Sequence, residues 1–270
     1  MITIYTYVSN RPDFIELQML SFIKNLKESF EFVVFNNARL SGDSHYDEIN
    51  TVCRRVGATV IDIPRDNELV GRCQKIEHAV QILNPRGLYS IANVAHAYAL
   101  CWSWENIISK EKGAIAIVDS DVFLIQPVKL TETLYPHAMC NIPDGRTHAD
   151  GRCFMYMWPT FMLADMSKLP DAPTLNWWCG RIEGVPVDVG GQTYHYFQAH
   201  PDLDIFNIRR LNSNYLDTSS CPVDPANYDE FYLKDGIVLH YRSGSDWDQK
   251  GGEYHRKKTE WLKKRMEEGV

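Results

Sequence analysis

Strand-like and helix-like segments alternate through the first half of this 270-residue chain at a spacing that leaves few folds open. The segment "ITIYTYV" (2–8) is β-branched and aromatic and reads as a buried strand. In "SNRPDFIELQMLSFIKNLK", Pro12 suits a helix start, and Phe14, Leu17, Leu20 and Ile23 or Lys24 fall roughly on one face. A second strand, "FEFVVFNN" (30–37), stops at two asparagines, "EINTVCRRVG" (48–57) is a helix ended by Gly57, and "ATVIDIP" (58–64) is a third strand. "NVAHAYALCWSWENII" (93–108) is a long helix that offers Val94, Tyr98, Cys101, Trp102 and Ile108 to a core. Such alternation implies βαβ units and a mainly parallel sheet flanked by helices, and ligands of such sheets bind beyond the carboxyl ends of the strands.

The next strand ends abnormally. In "GAIAIVDSDVFLIQP" (113–127) an apolar run meets Asp119, Ser120 and Asp121 and then turns apolar again. Residues two apart on an extended strand point to one side, so the spacing predicts that the two carboxylates converge. Like charges at a strand end are costly to desolvate unless something positive lies beside them. A hard divalent cation fits, because Mg²⁺ and Mn²⁺ take oxygen ligands and often complete their shell with substrate phosphates.

The bulk numbers are those of a soluble globular protein: 44% hydrophobic and 23% charged residues, with a net charge of −7. An acidic balance argues against bulk nucleic-acid binding. The seven cysteines show no C-x-x-C pair, which points to reduced, mostly buried thiols rather than a zinc site or a disulfide framework. The N-terminus lacks the basic region of a signal peptide, and no run of about 18 apolar residues exists, so a cytoplasmic location is expected.

Beyond residue 135 the alternation weakens. "CNIPDGRTHADGR" (140–152) reads as a turn-rich loop, and Pro159 within "FMYMWPTFMLADMSKLP" (154–170) disfavours a central strand there. "VPVDVGGQTYHYFQAH" (185–200) sets two glycines just after Asp188. "DGIVLHYRSGSDW" (235–247) is a short strand ending in His240, which would lie near Asp119 and Asp121 if that strand joins the sheet. Its glycine-containing loop, with Arg242, could approach phosphate oxygens through backbone N–H groups. Without a repeat or a clear linker, 1–270 is expected to form one domain with two functional halves.

These residues carry a resemblance. "VDSDVF", after a long helix and an apolar strand, resembles the D-x-D motif of nucleotide-sugar glycosyltransferases with the GT-A fold, and "LHYRSGSDW" is similar to their C-terminal His-Gly-Trp segment. "YMWPTFMLADMSKLP" with "VDVGGQTY" resembles their acceptor side, a strand-to-helix element and an Asp-containing turn. The chain departs from the closest layouts in having Pro159 and Thr160 where an asparagine precedes a glycine. The resemblance implies an α/β GT-A fold, with a nucleotide-sugar half at about 1–130, an acceptor half at about 131–250 and a basic C-terminal helix at 251–270. It implies Asp121 as a direct ligand of Mn²⁺ or Mg²⁺, Asp119 serving both metal and ribose, and His240 completing the protein ligands. Ser120 belongs to the same motif, Gly244 and Trp247 to the loop covering the diphosphate, Thr6 and Val8 to the base, and Arg72 or Arg11 to the phosphates.

The implied reaction moves a sugar from a nucleoside-diphosphate donor, UDP favoured because it is common, to a glycan, a lipid-linked glycan or another hydroxyl acceptor. Asp188 is the first candidate for the general base of an inverting reaction, and Asp188 or Gln192 would act on the sugar's other face in a retaining one. Trp158, Trp177 and Trp178 are candidates for a sugar platform or for the core. The tail "HRKKTEWLKKR" would make weak contact with an anionic membrane, or form an ordinary solvated helix diluted by Glu253, Glu260, Glu267 and Glu268. A haloacid-dehalogenase-type phosphotransferase would carry D-x-D on its first strand, and a sugar-phosphate nucleotidyltransferase would show a Gly-rich, Arg-containing loop after it. A non-catalytic glycosyltransferase-like binding protein would not need Asp119, Asp121 and His240 intact.

Overall fold

The computed structural model describes residues 1–40, 45–64, 91–148, 150–212, 215–223, 228–242, 244 and 251–269. In chain order, strand β1 (Ile2–Val8) leads into helix α1 (Pro12–Asn25), β2 (Phe30–Asn36), α2 (Tyr46–Val56) and β3 (Thr59–Asp62). Helix α3 (Ile91–Asn106) precedes β4 (Ala114–Asp119), β5 (Val122–Leu124), the short α4 (Leu130–Leu134), β6 (Met139–Thr147) and β7 (Cys153–Asp165). Then come the hairpin strands β8 (Gly180–Ile182) and β9 (Val185–Val187), α5 (Thr193–Ala199), β10 (Ile205–Asn207), β11 (Arg209–Asn212), β12 (Asp229–Tyr232), β13 (Ile237–His240) and α6 (Gly252–Glu268).

The main sheet has the order β10-β6-β7-β4-β1-β2-β3. Its parallel pairs are β1 with β2 and β4, β2 with β3, and β6 with β10, while β7 runs antiparallel to both its neighbours. This is the mixed α/β, mainly parallel sheet expected from the alternation. One face packs α3 through Val94, Tyr98 and Trp104 against Tyr5, Ile115 and Ile117, and the other packs Ile15 and Phe22 of α1 against Ile4, Val34 and Ala116. Parallel strands buried on both faces account for their nearly continuous apolar sequence. Helix α1 also differs from its expected single face: Ile23 is exposed, and Phe14 and Leu17 turn towards a third cluster with Phe123, Leu239 and Tyr241. The helix is wedged between the main sheet and a second one, so it needs two apolar stripes.

That second sheet, β11-β12-β13-β5, is antiparallel throughout. The strand bearing His240 therefore does not join the main sheet. It pairs with β5, which begins just past the aspartate motif, and Val122 faces His240 in the ladder.

Two further expectations are corrected. The segment read as a loop at 140–152 is largely β6, because the long β7 would otherwise leave its backbone groups unpaired. Pro159 does lie within a central strand, but at an irregularity: Asn141 faces Met162 whereas Ile142 faces Trp158, so residues 159–161 stand outside the β6 ladder. A bulge is where a strand tolerates a residue without an N–H. No helix directly follows β7 either, where the resemblance implied a strand-to-helix element. The six described cysteines are all free thiols. Among the described residues no helix is long and apolar enough to cross a membrane.

Helix α6 spends its apolar stripe on the protein, with Leu262 and Met266 buried in the third cluster. Its outer face carries Lys257–Glu253 and Arg256–Glu260 pairs at 2.8 and 2.9 Å.

Trp104 is fully buried, edge-on to Trp177 at 5.6 Å, and its indole N–H donates to the Ala172 carbonyl at 2.7 Å. Trp104→Ala is expected to cost about 3–5 kcal/mol in denaturant unfolding; a cost below about 1 kcal/mol would mean that α3 does not anchor this face.

Candidate functional site

A cavity of about 310 Å³ opens at the carboxyl ends of β1 and β4. Tyr7, Ser9, Asn10 and Asn37 line one side, Asn93 and His96 of α3 another, and Asp119, Ser120, Asp121 and His240 the floor. Trp158, Pro159, Thr160 and Asp188 close it from the β7 side. The bulge in β7 thus serves the site by turning Pro159 and Thr160 into its wall.

Asp119 and Asp121 do not share a strand, as the spacing predicted. Asp119 ends β4, a turn spans Ser120 and Asp121, and β5 starts at Val122. The buried Gln18 carboxamide fixes the turn by donating to the carbonyls of Asp119 at 2.8 Å and Val122 at 3.1 Å. Both carboxylates still reach the cavity, in different surroundings. Asp119 lies 3.4 Å from His96 Nε2. Burial raises its pKa against the opposing charge of His96, and the neighbouring Asp121 raises it further. Burial acts on Asp121 too, but His240 and the Gly244 N–H, which donates to Oδ2 at 3.1 Å, bring its pKa below the ordinary carboxylate value.

His240 Nε2 stands 3.5 Å from Asp121 Oδ1, and its Nδ1 lies 3.4 Å from Asp229. Burial alone would depress the imidazole; the Asp121 and Asp229 carboxylates overcome it and raise the pKa to about 9. Asp229 is fully buried and is also approached by Arg210 at 3.3 Å and Arg242 at 3.4 Å. A carboxylate on the far nitrogen orients an imidazole and fixes which nitrogen faces the site. Trp158 packs edge-on to His240 at 5.2 Å.

The donor set suits a hard divalent cation in part. A gap of 3.5 Å between Asp121 and His240 exceeds a good hydrogen bond and matches ligands sharing one ion at about 2.1–2.2 Å each. Among the described residues, however, no group of three or more His, Cys, Asp and Glu side chains is arranged to hold a metal ion. The expected set of Asp119, Asp121 and His240 is therefore not a closed cage: Asp121 and His240 face each other, while Asp119 pairs with His96.

Asp188 lies across the cavity at the end of the β8–β9 hairpin, where its Oδ1 accepts from Asn93 Nδ2 at 3.1 Å and from the Val189 N–H at 2.8 Å. Burial raises its pKa, against the Val189 N–H. The two glycines after it answer to packing: a Cβ on Gly190 would sit 2.1 Å from the Met157 carbonyl oxygen, and one on Gly191 2.2 Å from Val187.

Several expected residues lie elsewhere. Thr6 and Val8 do not line the cavity; both are fully buried, and strand alternation gives the cavity to Tyr7 instead. Gln192 does not line it, and its amide is 3.4 Å from the Arg181 carbonyl. Trp177 is core and Trp178 packs against that core, so Trp158 alone of the three reaches the site. Arg11 is buried and paired with Asp13 rather than presented to a phosphate. Arg72 and Trp247 lie outside the described residues. The sequence reading missed His96 and Asp229. A lone polar residue in "NVAHAYAL" was the only signal for the first, and nothing local marked the second.

No family model and no curated protein matches the chain. Among solved structures it is similar to core-mannan synthase A of Aspergillus fumigatus in its Mn/GDP form, at 8% identity and a TM-score of 0.42, covering 62% of this chain and 60% of that one. It is also similar to mouse xyloside xylosyltransferase 1 in its apo form, at 11% identity and a TM-score of 0.43, covering 77% of this chain and 85% of that one. For the galactosyltransferase LgtC in complex with donor and acceptor sugar analogs, the values are 14% and 0.37, covering 65% and 62%.

Gly190 also has a φ of +83°. Gly190→Ala is expected to destabilise the protein by at least about 2 kcal/mol in a thermal melt; an unchanged melting temperature would show that the turn carrying Asp188 can relax away from Met157.

Proposed function

We propose that the chain is a GT-A glycosyltransferase, a single catalytic domain that transfers a sugar from a nucleoside-diphosphate donor to a hydroxyl of a glycan or lipid-linked glycan. The observation that carries this reading is the pairing of Asp121 with His240 on the floor of a cavity at the carboxyl edge of a parallel sheet, with Asp188 across from them. Switch points at that edge are where α/β sheets take nucleotides.

Asp121 and His240 would hold Mn²⁺ or Mg²⁺ with the donor's diphosphate, and Asp119 would serve the same ion or the ribose. The bound cation would neutralise charge on the departing diphosphate. UDP is the favoured nucleotide. Tyr7, Asn10 and Asn37 offer a ring face and two amides to a base. His240 is held for its role by Asp229, and the Gly244 N–H leaves one oxygen of Asp121 engaged and the other turned to His240.

Asp188 suits proton removal from an acceptor hydroxyl. One of its oxygens is fixed by Asn93 and Val189, and burial raises its basicity towards a useful range. Trp158 and Pro159 give the sugar an apolar wall between the two carboxylate groups.

Calorimetric titration of UDP and of GDP into the protein tests the donor site. One nucleotide is expected to bind with Mn²⁺ present, and binding is expected to vanish with chelator or in Asp121→Ala. Binding of neither nucleotide with metal would overturn the reading. Asp188→Asn is expected to keep nucleotide affinity and to lower transfer by about 10²–10⁴-fold; transfer within about threefold of wild type would remove Asp188 from the chemistry.

A further inference from the structure

Two buried cations meet behind Asp121. Arg11 and Lys258 are each 1% exposed, although one precedes α1 and the other belongs to α6. Arg11 Nη1 donates to the Gly244 carbonyl at 2.8 Å, and its Nη2 donates to Thr259 of α6 at 2.8 Å. The guanidinium lies over the Phe14 ring at 3.6 Å and is paired with Asp13. Lys258 Nζ donates to the Tyr241 carbonyl at 2.5 Å and lies over the rings of Tyr241 at 3.7 Å and Tyr228 at 4.2 Å.

The carbonyls these cations hold belong to one short segment, and its amides hold Asp121. The Tyr241 N–H donates to the Asp121 carbonyl at 2.8 Å, and the Gly244 N–H donates to the Asp121 carboxylate at 3.1 Å. Between them Arg242 takes a φ of +58°, an unfavourable backbone that persists only where its surroundings enforce it. No side chain fits at 244: a Cβ there would lie 2.6 Å from both Asp121 Cβ and Phe14. Burying two cations to hold neutral carbonyls is a poor route to stability, since apolar groups of the same volume usually serve as well or better. The arrangement makes sense for geometry.

We infer that Arg11 and Lys258 are positioning residues of the donor site: by clasping the carbonyls of Gly244 and Tyr241 they hold the Gly244 N–H on Asp121 and so set the carboxylate that faces His240. The inference rests on the proposed donor site for its consequence, and on the hydrogen bonds alone for the clasp. It makes α6 part of the site rather than an appendage, because Lys258 and Thr259 both come from that helix.

The test pairs two readouts on the whole chain. Lys258→Met keeps the stem but removes charge and donor. In this variant, amide hydrogen exchange at Gly244 is expected to quicken about tenfold or more while β1 and β4 amides keep their protection. The dissociation constant of the nucleotide that binds with Mn²⁺ is expected to rise by about tenfold. A Gly244 exchange rate equal to wild type overturns the clasp, and faster exchange with unchanged nucleotide affinity overturns its role at the site. If the wild type binds neither UDP nor GDP with Mn²⁺, the donor reading falls and Gly244 exchange alone decides the clasp. Thr259→Val, which removes one hydrogen bond from Arg11, is expected to quicken Gly244 exchange a few-fold, and it decides the matter should Lys258→Met fail to fold.

Discussion

Val122 pairs with His240 across the β5–β13 ladder, and everything chemical in the site hangs on that register. Strand β5 begins immediately after the Asp119–Asp121 turn, so the second sheet is fastened to the main one at the carboxylates themselves. A slip of one residue would turn the His240 side chain to the opposite face and leave Asp121 without its partner. The register is protected from both sides. Phe123 and Leu239 are paired and fully buried in one cluster with Phe14, while Gln18 ties the turn to α1 through two carbonyls. The apolar stripe of α1 that faces away from the main sheet therefore has a purpose beyond packing, since it seats the sheet that delivers the histidine.

Two aspartates one residue apart end in opposite electrostatic states. Asp121 receives an N–H and faces an imidazole, which hold it as a carboxylate, whereas burial and the charge of its neighbour push Asp119 the other way. Pairs of titratable groups whose surroundings drive them apart are a common mark of a working site. A divalent cation would relieve both at once, drawing Asp119 back to its ionised form and replacing the proton shared around His240. Asp229 and its two arginines would then keep the imidazole pointed the same way whether or not the ion is present.

Much of this was legible in the residues. The strands at β1, β2, β3 and β4 announced themselves as apolar, β-branched runs, and Gly57 closed α2 as expected, with a left-handed φ of 75°. The motif at 119–121 and His240 stood out because each breaks an apolar strand at its end. What failed was pairing. Sequence periodicity does not say which sheet a strand enters, so β13 was assigned towards the main sheet and β6 was missed beneath its prolines and glycine. Strand alternation was also applied too loosely at β1, where Thr6 and Val8 were named although the cavity takes Tyr7. His96, Asp229 and the Arg11–Lys258 clasp come from segments remote in sequence, and only the folded chain brings them to the aspartates.

The most direct measurement is crystallographic: crystals grown with MnCl₂ and UDP or GDP, with data collected at the manganese absorption edge. If Asp121 and His240 share the donor's cation, an anomalous peak lies between Asp121 and His240 Nε2, at about 2.0–2.3 Å from each, with diphosphate oxygens completing the shell. A nucleotide bound in the cavity with no manganese peak there, or manganese bound away from both side chains, would contradict it.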